Sequence, residues 1–150
     1  GSQLEFRTQR HSFTDQTGQY RYHYSPDRQV YIDGQFVLSI ECKAFTEVAM
    51  YKRILVDSFL LKKENPQLRL GLLQLESQLG GDYSTNRILP RGSGSVHVLN
   101  SHFPDVTMEI LTLLDGERRV KQEIHKRQFL KPLPTERVEH AVGRLQTLLR

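Results

Sequence analysis

The sequence predicts an α/β (α+β) fold, a mixed central sheet flanked by helices. Three observations predict it. Val30-Tyr31-Ile32 and Phe36 to Ile40 are β-prone runs separated by Asp33-Gly34, a strong hairpin signal. After Lys43 the apolar period lengthens, with Val48, Tyr51, Leu55 and Phe59 recurring at helical spacing up to Pro66. Beyond Pro66 the order is an alternating run, a glycine-rich loop, a second apolar run and an amphipathic close, read as strand, loop, strand, helix.

Taken in order, residues 3–24 are polar with interleaved aromatics. Tyr20, Tyr22 and Tyr24 alternate with Arg21 and His23, which predicts a strand with half-buried tyrosines on one face, pairing with the Val30 strand across Ser25-Pro26-Asp27-Arg28. The hairpin follows, making a three-stranded meander that ends at Lys43. A helix over about 47–63 comes next, with Thr46 as its N-cap and Glu47 near its positive end. Its Lys52, Arg53, Lys62 and Lys63 read as a solvated face rather than phosphate contacts.

Leu68 to Leu79 alternates, with Leu73, Leu75 and Leu79 opposite Gln74, Glu76 and Gln78. This suits a strand beside the second hairpin strand. Gln74 or Glu76 is then either accessory to a site or plain solvent face. Gly80 to Ser95 reads as a long loop carrying Arg87 and Arg91, without the Gly-Lys-Ser/Thr ending of a nucleotide loop. Val106 to Leu114 is an apolar strand closed by Asp115-Gly116. Residues 117–131 carry Arg118, Arg119, Lys121, Lys126, Arg127 and Lys131 around Ile124 and Phe129, a candidate surface for a phosphate backbone. A helix from Pro134-Thr135 has the stripe Val138, Ala141, Val142, Leu145, Leu148 and Leu149, expected to cover the sheet.

Composition bounds what such a fold does. At 150 residues the chain suits a single domain, 1–150. Its net charge of +4 fits a polyanionic partner. The one cysteine, Cys42, excludes an internal disulfide and a cysteine-cluster metal site, and is expected to be a buried structural thiol facing away from Glu41 and Lys43. His97, His102, His125 and His140 lack zinc-ligand spacing. There is no bilayer-length apolar run and no signal-peptide pattern, so the expectation is a cytoplasmic protein with no membrane partner. Gly1-Ser2 reads as a tag remnant, and without an initiator methionine the chain is expected to be part of something longer.

The chemistry concentrates at the hairpin's open end. Folding back near Gly34 brings Asp27, at the start of one strand, beside Glu41, at the end of the other, while Glu41 and Lys43 share a face. Two carboxylates provide hard oxygen ligands for Mg²⁺, and a neighbouring ammonium can orient a water or offset charge on phosphate. Two other acids remain open as the first carboxylate: Asp15, if the strand register differs, ranks second, and Asp33 third because no turn residue lies within Phe36-Val37-Leu38.

Pro26-Asp27, thirteen residues, then Glu41-Cys42-Lys43 resembles the motif of the PD-(D/E)XK nucleases, the restriction-endonuclease-like superfamily. The apolar strand before Glu41 and the helix after Lys43 match that context; the helix that usually precedes the first strand is not visible. The resemblance implies a restriction-endonuclease-like core and a Mg²⁺-dependent DNA endonuclease, with Mn²⁺ as a substitute ion. Asp27 and Glu41 would hold the metal and Lys43 would assist the attacking water. It implies double-stranded DNA as partner and a homodimer with one site per strand, in a type II restriction enzyme or its catalytic domain. The alternatives are a repair or recombination nuclease, or a non-catalytic nucleic-acid-binding or assembly domain on the same scaffold.

Overall fold

A computed structural model describes residues 1–84, 91–119, 123 and 126–150. In chain order the described elements are β1 (Leu4–Arg7), β2 (His11–Thr14), β3 (Arg21–Tyr24), β4 (Arg28–Ile32), β5 (Gln35–Glu47), α1 (Val48–Glu64), β6 (Arg69–Gln78), α2 (Gly94–His102), β7 (Met108–Thr112), a 3-10 turn (Arg127–Phe129) and α3 (Thr135–Leu148). β1-β4-β5-β6-β7 form one sheet, and β2-β3 a separate ribbon. This is the mixed α/β architecture expected.

The hairpin forms as the sequence requires. β4 and β5 run antiparallel on either side of Asp33-Gly34, whose φ angles of 51° and 82° are both left-handed. Gly34 adopts this without penalty, and the Asp33 carboxylate is held by the Gln3 amide at 2.8 Å. β5 is parallel to β6 and β6 to β7, so each pair needs a crossover; α1 supplies the first and the segment containing α2 the second.

Alternation sorts the strands into two faces. Leu70 and Leu72 of β6 join a core with Tyr51, Ile54, Leu55 and Leu61 of α1 and Val96 of α2. Leu73 points to the other face, where Val30, Leu38 and Ile40 pack with Leu145 and Leu148 of α3. A bulge sets the phase of β5: Tyr31 pairs with Phe36 but Val30 with Leu38, leaving Val37 as the extra residue. Phe36 therefore packs on the α1 side while Leu38 and Ile40 face α3. From there strict alternation puts Glu41 and Lys43 on the α1 face.

Several expectations need correction. The Tyr20 to Tyr24 strand does not join the meander: β3 pairs with β2, His11 opposite Tyr24, and the neighbour of β4 is β1, Leu4 opposite Ile32. Pairing between distant short strands leaves no local pattern to read. Thr46 does not cap α1, because β5 continues to Glu47 and Thr46 is fully buried with Oγ1 unpartnered. α2 begins at Gly94, inside the expected loop, and continues through residues for which no element was expected; it is capped by Ser93, whose side chain accepts from the Val96 amide. Gly80 permits this close approach: a Cβ there would lie 2.5 Å from Ser93 N. Cys42 is exposed, not buried. Gln74 and Glu76 are buried rather than solvent-facing, whereas Leu75 is 40% exposed. α3 covers the sheet through Leu145 and Leu148, but its Val138 and Val142 stay exposed. Arg87, Lys121, Ile124 and His125 lie outside the described residues. Among those described, no helix is long and apolar enough to cross a membrane.

Candidate active site

The last register pair of the hairpin joins Arg28 to Ile40, so Asp27 and Glu41 stand one step beyond it. Asp27 is tied to β5 past that point by its own carboxylate, which accepts from the Cys42 amide at 2.9 Å. In return the Asp27 backbone amide acts on the Glu41 carboxylate and favours its charged form. Glu41 is 7% exposed; Lys43, two residues on and on the same face, is half-buried. Asp27, Glu41 and Lys43 thus occupy one end of the hairpin, and Asp27 itself faces solvent.

The ribbon and α1 close the site from the side. Tyr22 and Tyr24, alternate residues of β3, present their hydroxyls on one face. The Tyr24 hydroxyl donates to Glu41 Oε1, and the Tyr22 hydroxyl donates to Asp57 Oδ1 at 2.6 Å. Asp57 projects from α1 and is 5% exposed. Tyr24 is half-buried against the core, as expected, and Tyr22 stacks on Phe13 though more exposed; beyond packing, both hold buried carboxylates, while Tyr20 is exposed.

Burial pushes the Glu41 pKa up to about 7, with the Asp57 carboxylate adding to the rise and the Lys43 ammonium and Asp27 amide opposing it. A buried carboxylate that ionises near neutrality can exchange its proton for a cation. Among the described residues no group of three or more His, Cys, Asp or Glu side chains is arranged to enclose a metal. A cation here would have a smaller donor set, for which Glu41 and Asp27 are the candidates at this end of the hairpin. That fits Mg²⁺, which takes one or two carboxylates and fills its remaining positions with water and phosphate oxygens.

The chain matches a protein with a named activity. Over 130 residues, 87% of its length, it is 54% identical to the type II restriction enzyme DdeI of Desulfomicrobium norvegicum (strain DSM 1741 / NCIMB 8310). The chain spans about half, 54%, of that relative. No protein-family model matches it, and no solved structure does.

The other candidates have structural work elsewhere. Asp15 sits in the β2–β3 turn, its carboxylate accepting from Thr17 Oγ1 and the Tyr20 amide, and these bonds hold its pKa below the usual value. It lies at the opposite end of the ribbon from Tyr24, which removes it from the Glu41 edge. Asp33 is spent in the hairpin turn. Glu76 lies between Lys131 at 2.9 Å and Arg118 at 3.6 Å, and Arg118 also covers the Phe45 ring. The basic segment is therefore partly an internal ion-pair network, with Arg119, Lys126 and Arg127 left exposed. Arg91 is engaged with Tyr83 through its carbonyl and ring.

Sequence reasoning missed Asp57, Tyr22 and Tyr24 as site residues. A signal for Asp57 existed. Tyr51, Ile54, Leu55, Ser58 and Leu61 form the buried stripe of α1, and a charged residue beside that stripe needs a partner.

Proposed function

We propose that this chain is a metal-dependent DNA endonuclease of PD-(D/E)XK type that hydrolyses phosphodiester bonds in duplex DNA, as a restriction enzyme or its catalytic part. The observation that carries the reading is Glu41: a buried carboxylate with its pKa raised to about 7, beside Lys43 and Asp27 at one end of a β-hairpin. The similarity to a type II restriction enzyme supports it independently.

In this reading Asp27 and Glu41 ligate Mg²⁺, with Mn²⁺ as a substitute. Bound there, the ion would supply Lewis-acid stabilisation of charge at phosphate. Lys43 orients the attacking water and offsets charge as the phosphate becomes more negative. Tyr24 fixes the Glu41 carboxylate rotamer, so the ligand oxygen is in place before substrate arrives. Burial, with a smaller contribution from Asp57, keeps the proton affinity of Glu41 high until a cation enters. The exposed arginines and lysines add sequence-independent affinity for the backbone, and a homodimer places one site on each strand.

The test is nicking of supercoiled plasmid. Wild type cuts with Mg²⁺ and stops in EDTA; Glu41→Ala and Lys43→Ala each lose about 100-fold or more. Cutting that survives both substitutions rejects the assignment, and gel-shift binding without cutting favours a non-catalytic scaffold.

A further inference from the structure

A polar row crosses the sheet beside the candidate site. The strand registers pair Lys43 with Gln74 and Gln74 with Thr112, so these side chains leave one face of three adjacent strands spaced about 4.8 Å apart. Gln74 is 1% exposed and its Nε2 donates to Thr112 Oγ1 at 3.0 Å. Its Oε1 is equally buried and has no hydrogen-bond partner. Lys43 forms no hydrogen bond or ion pair among the described residues and acts electrostatically on Glu41.

The orientation of the amide has a physical reason. A threonine hydroxyl both donates and accepts, so Thr112 alone is satisfied by either end of the Gln74 amide. The register neighbour on the strand opposite Thr112's is Lys43, and it supplies the asymmetry. With Lys43 next in the row, an amide nitrogen there would set donor against donor, whereas the oxygen offers an acceptor. Burial sharpens that preference, since water does not reach Oε1 to compensate.

We propose that Gln74 is the positioning residue for Lys43, its Oε1 accepting from Lys43 Nζ in the working site and holding the ammonium between the amide and Glu41. Lysine is a point charge on a flexible stem, and a fixed acceptor behind it restricts where that charge sits. Thr112 acts one step further back by pinning the amide. This inference rests on the nuclease reading for its kinetic consequence, but not for the contact itself.

Two variants of similar volume separate acceptance from packing. Gln74→Met removes the acceptor; Gln74→Glu keeps an oxygen towards Lys43 and, protonated, still donates to Thr112. In single-turnover plasmid cleavage Gln74→Met lowers the rate about tenfold or more at saturating DNA, the scale on which loss of an outer hydrogen bond acts, with KM unchanged. Gln74→Glu recovers most of the rate, and both variants melt alike. The Lys43 Nζ resonance in ¹⁵N NMR, assigned by its loss in Lys43→Arg, moves in Gln74→Met and stays in Gln74→Glu. A wild-type rate in Gln74→Met, or equal loss in both variants, overturns the proposal. A wild type that cuts no DNA overturns the nuclease reading instead, and the Lys43 resonance then decides the contact alone.

Discussion

Ionising Glu41 means placing charge where water scarcely reaches, and its charged neighbours set how hard that is. Lys43 eases it and Asp57 hinders it, so the two substitutions must move the pKa in opposite directions. Lys43→Ala raises it above about 7, and Asp57→Asn lowers it, measured by ¹³C carboxyl titration of the apo protein. The same shift governs stability. Because the folded pKa lies above the unfolded value of 4.5, no penalty exists below about pH 4.5; it grows as pH rises towards 7 and is full above it. Glu41→Gln is relieved of that penalty. It should therefore melt higher than wild type at pH 8 and equal to it at pH 4, and a difference independent of pH would refute the cause. The Glu41 and Lys43 pair was legible in the sequence because two residues apart on a strand means one face. Asp57 left a signal of burial beside the α1 stripe, but its role could not be read, since its partners Tyr22 and Glu41 come from distant segments.

Among the elements, the hairpin and the ribbon have distinct duties: the hairpin builds the site and the ribbon holds its carboxylates. Gly34 lies in the left-handed region, where any Cβ adds strain. Gly34→Ala should lower stability by about 1–2 kcal/mol in urea denaturation. The ribbon is attached to the site by Tyr22 and Tyr24 through Asp57 and Glu41. Replacing both tyrosines by phenylalanine should speed amide hydrogen exchange in β2 and β3 while leaving β5 and β6 protected. Slow exchange throughout would mean that the hydroxyls do not hold the ribbon. The hairpin, α1, β6, β7 and α3 could be read from local periodicity and the Asp33-Gly34 turn. β3 could be read too, from its alternating tyrosines, but not its pairing with β2, nor that of β1 with β4, nor α2: short strands that pair at a distance leave no local pattern, and α2 hides behind a glycine- and serine-rich entry whose Ser93 cap resembles loop composition.

At the scale of the molecule, α1 and α2 pack on one face of the sheet and α3 on the other, with the candidate site on the α1 face where β5 passes β6 in parallel. Leu72 is fully buried and registers with Glu41 across that boundary. Leu72→Ala should cost about 2–5 kcal/mol of stability and loosen the strand beneath the carboxylate. In the proposed reading, folding brings Glu41 and Asp27 together as a cation site at the cost of a half-protonated glutamate. Calorimetric titration of the apo protein with Mn²⁺ tests it most directly. Binding should tighten as pH rises through about 7, release protons below it, vanish in Glu41→Gln and weaken in Asp27→Asn. Binding of undiminished strength in Glu41→Gln, or affinity that ignores pH between 6 and 8, would contradict it.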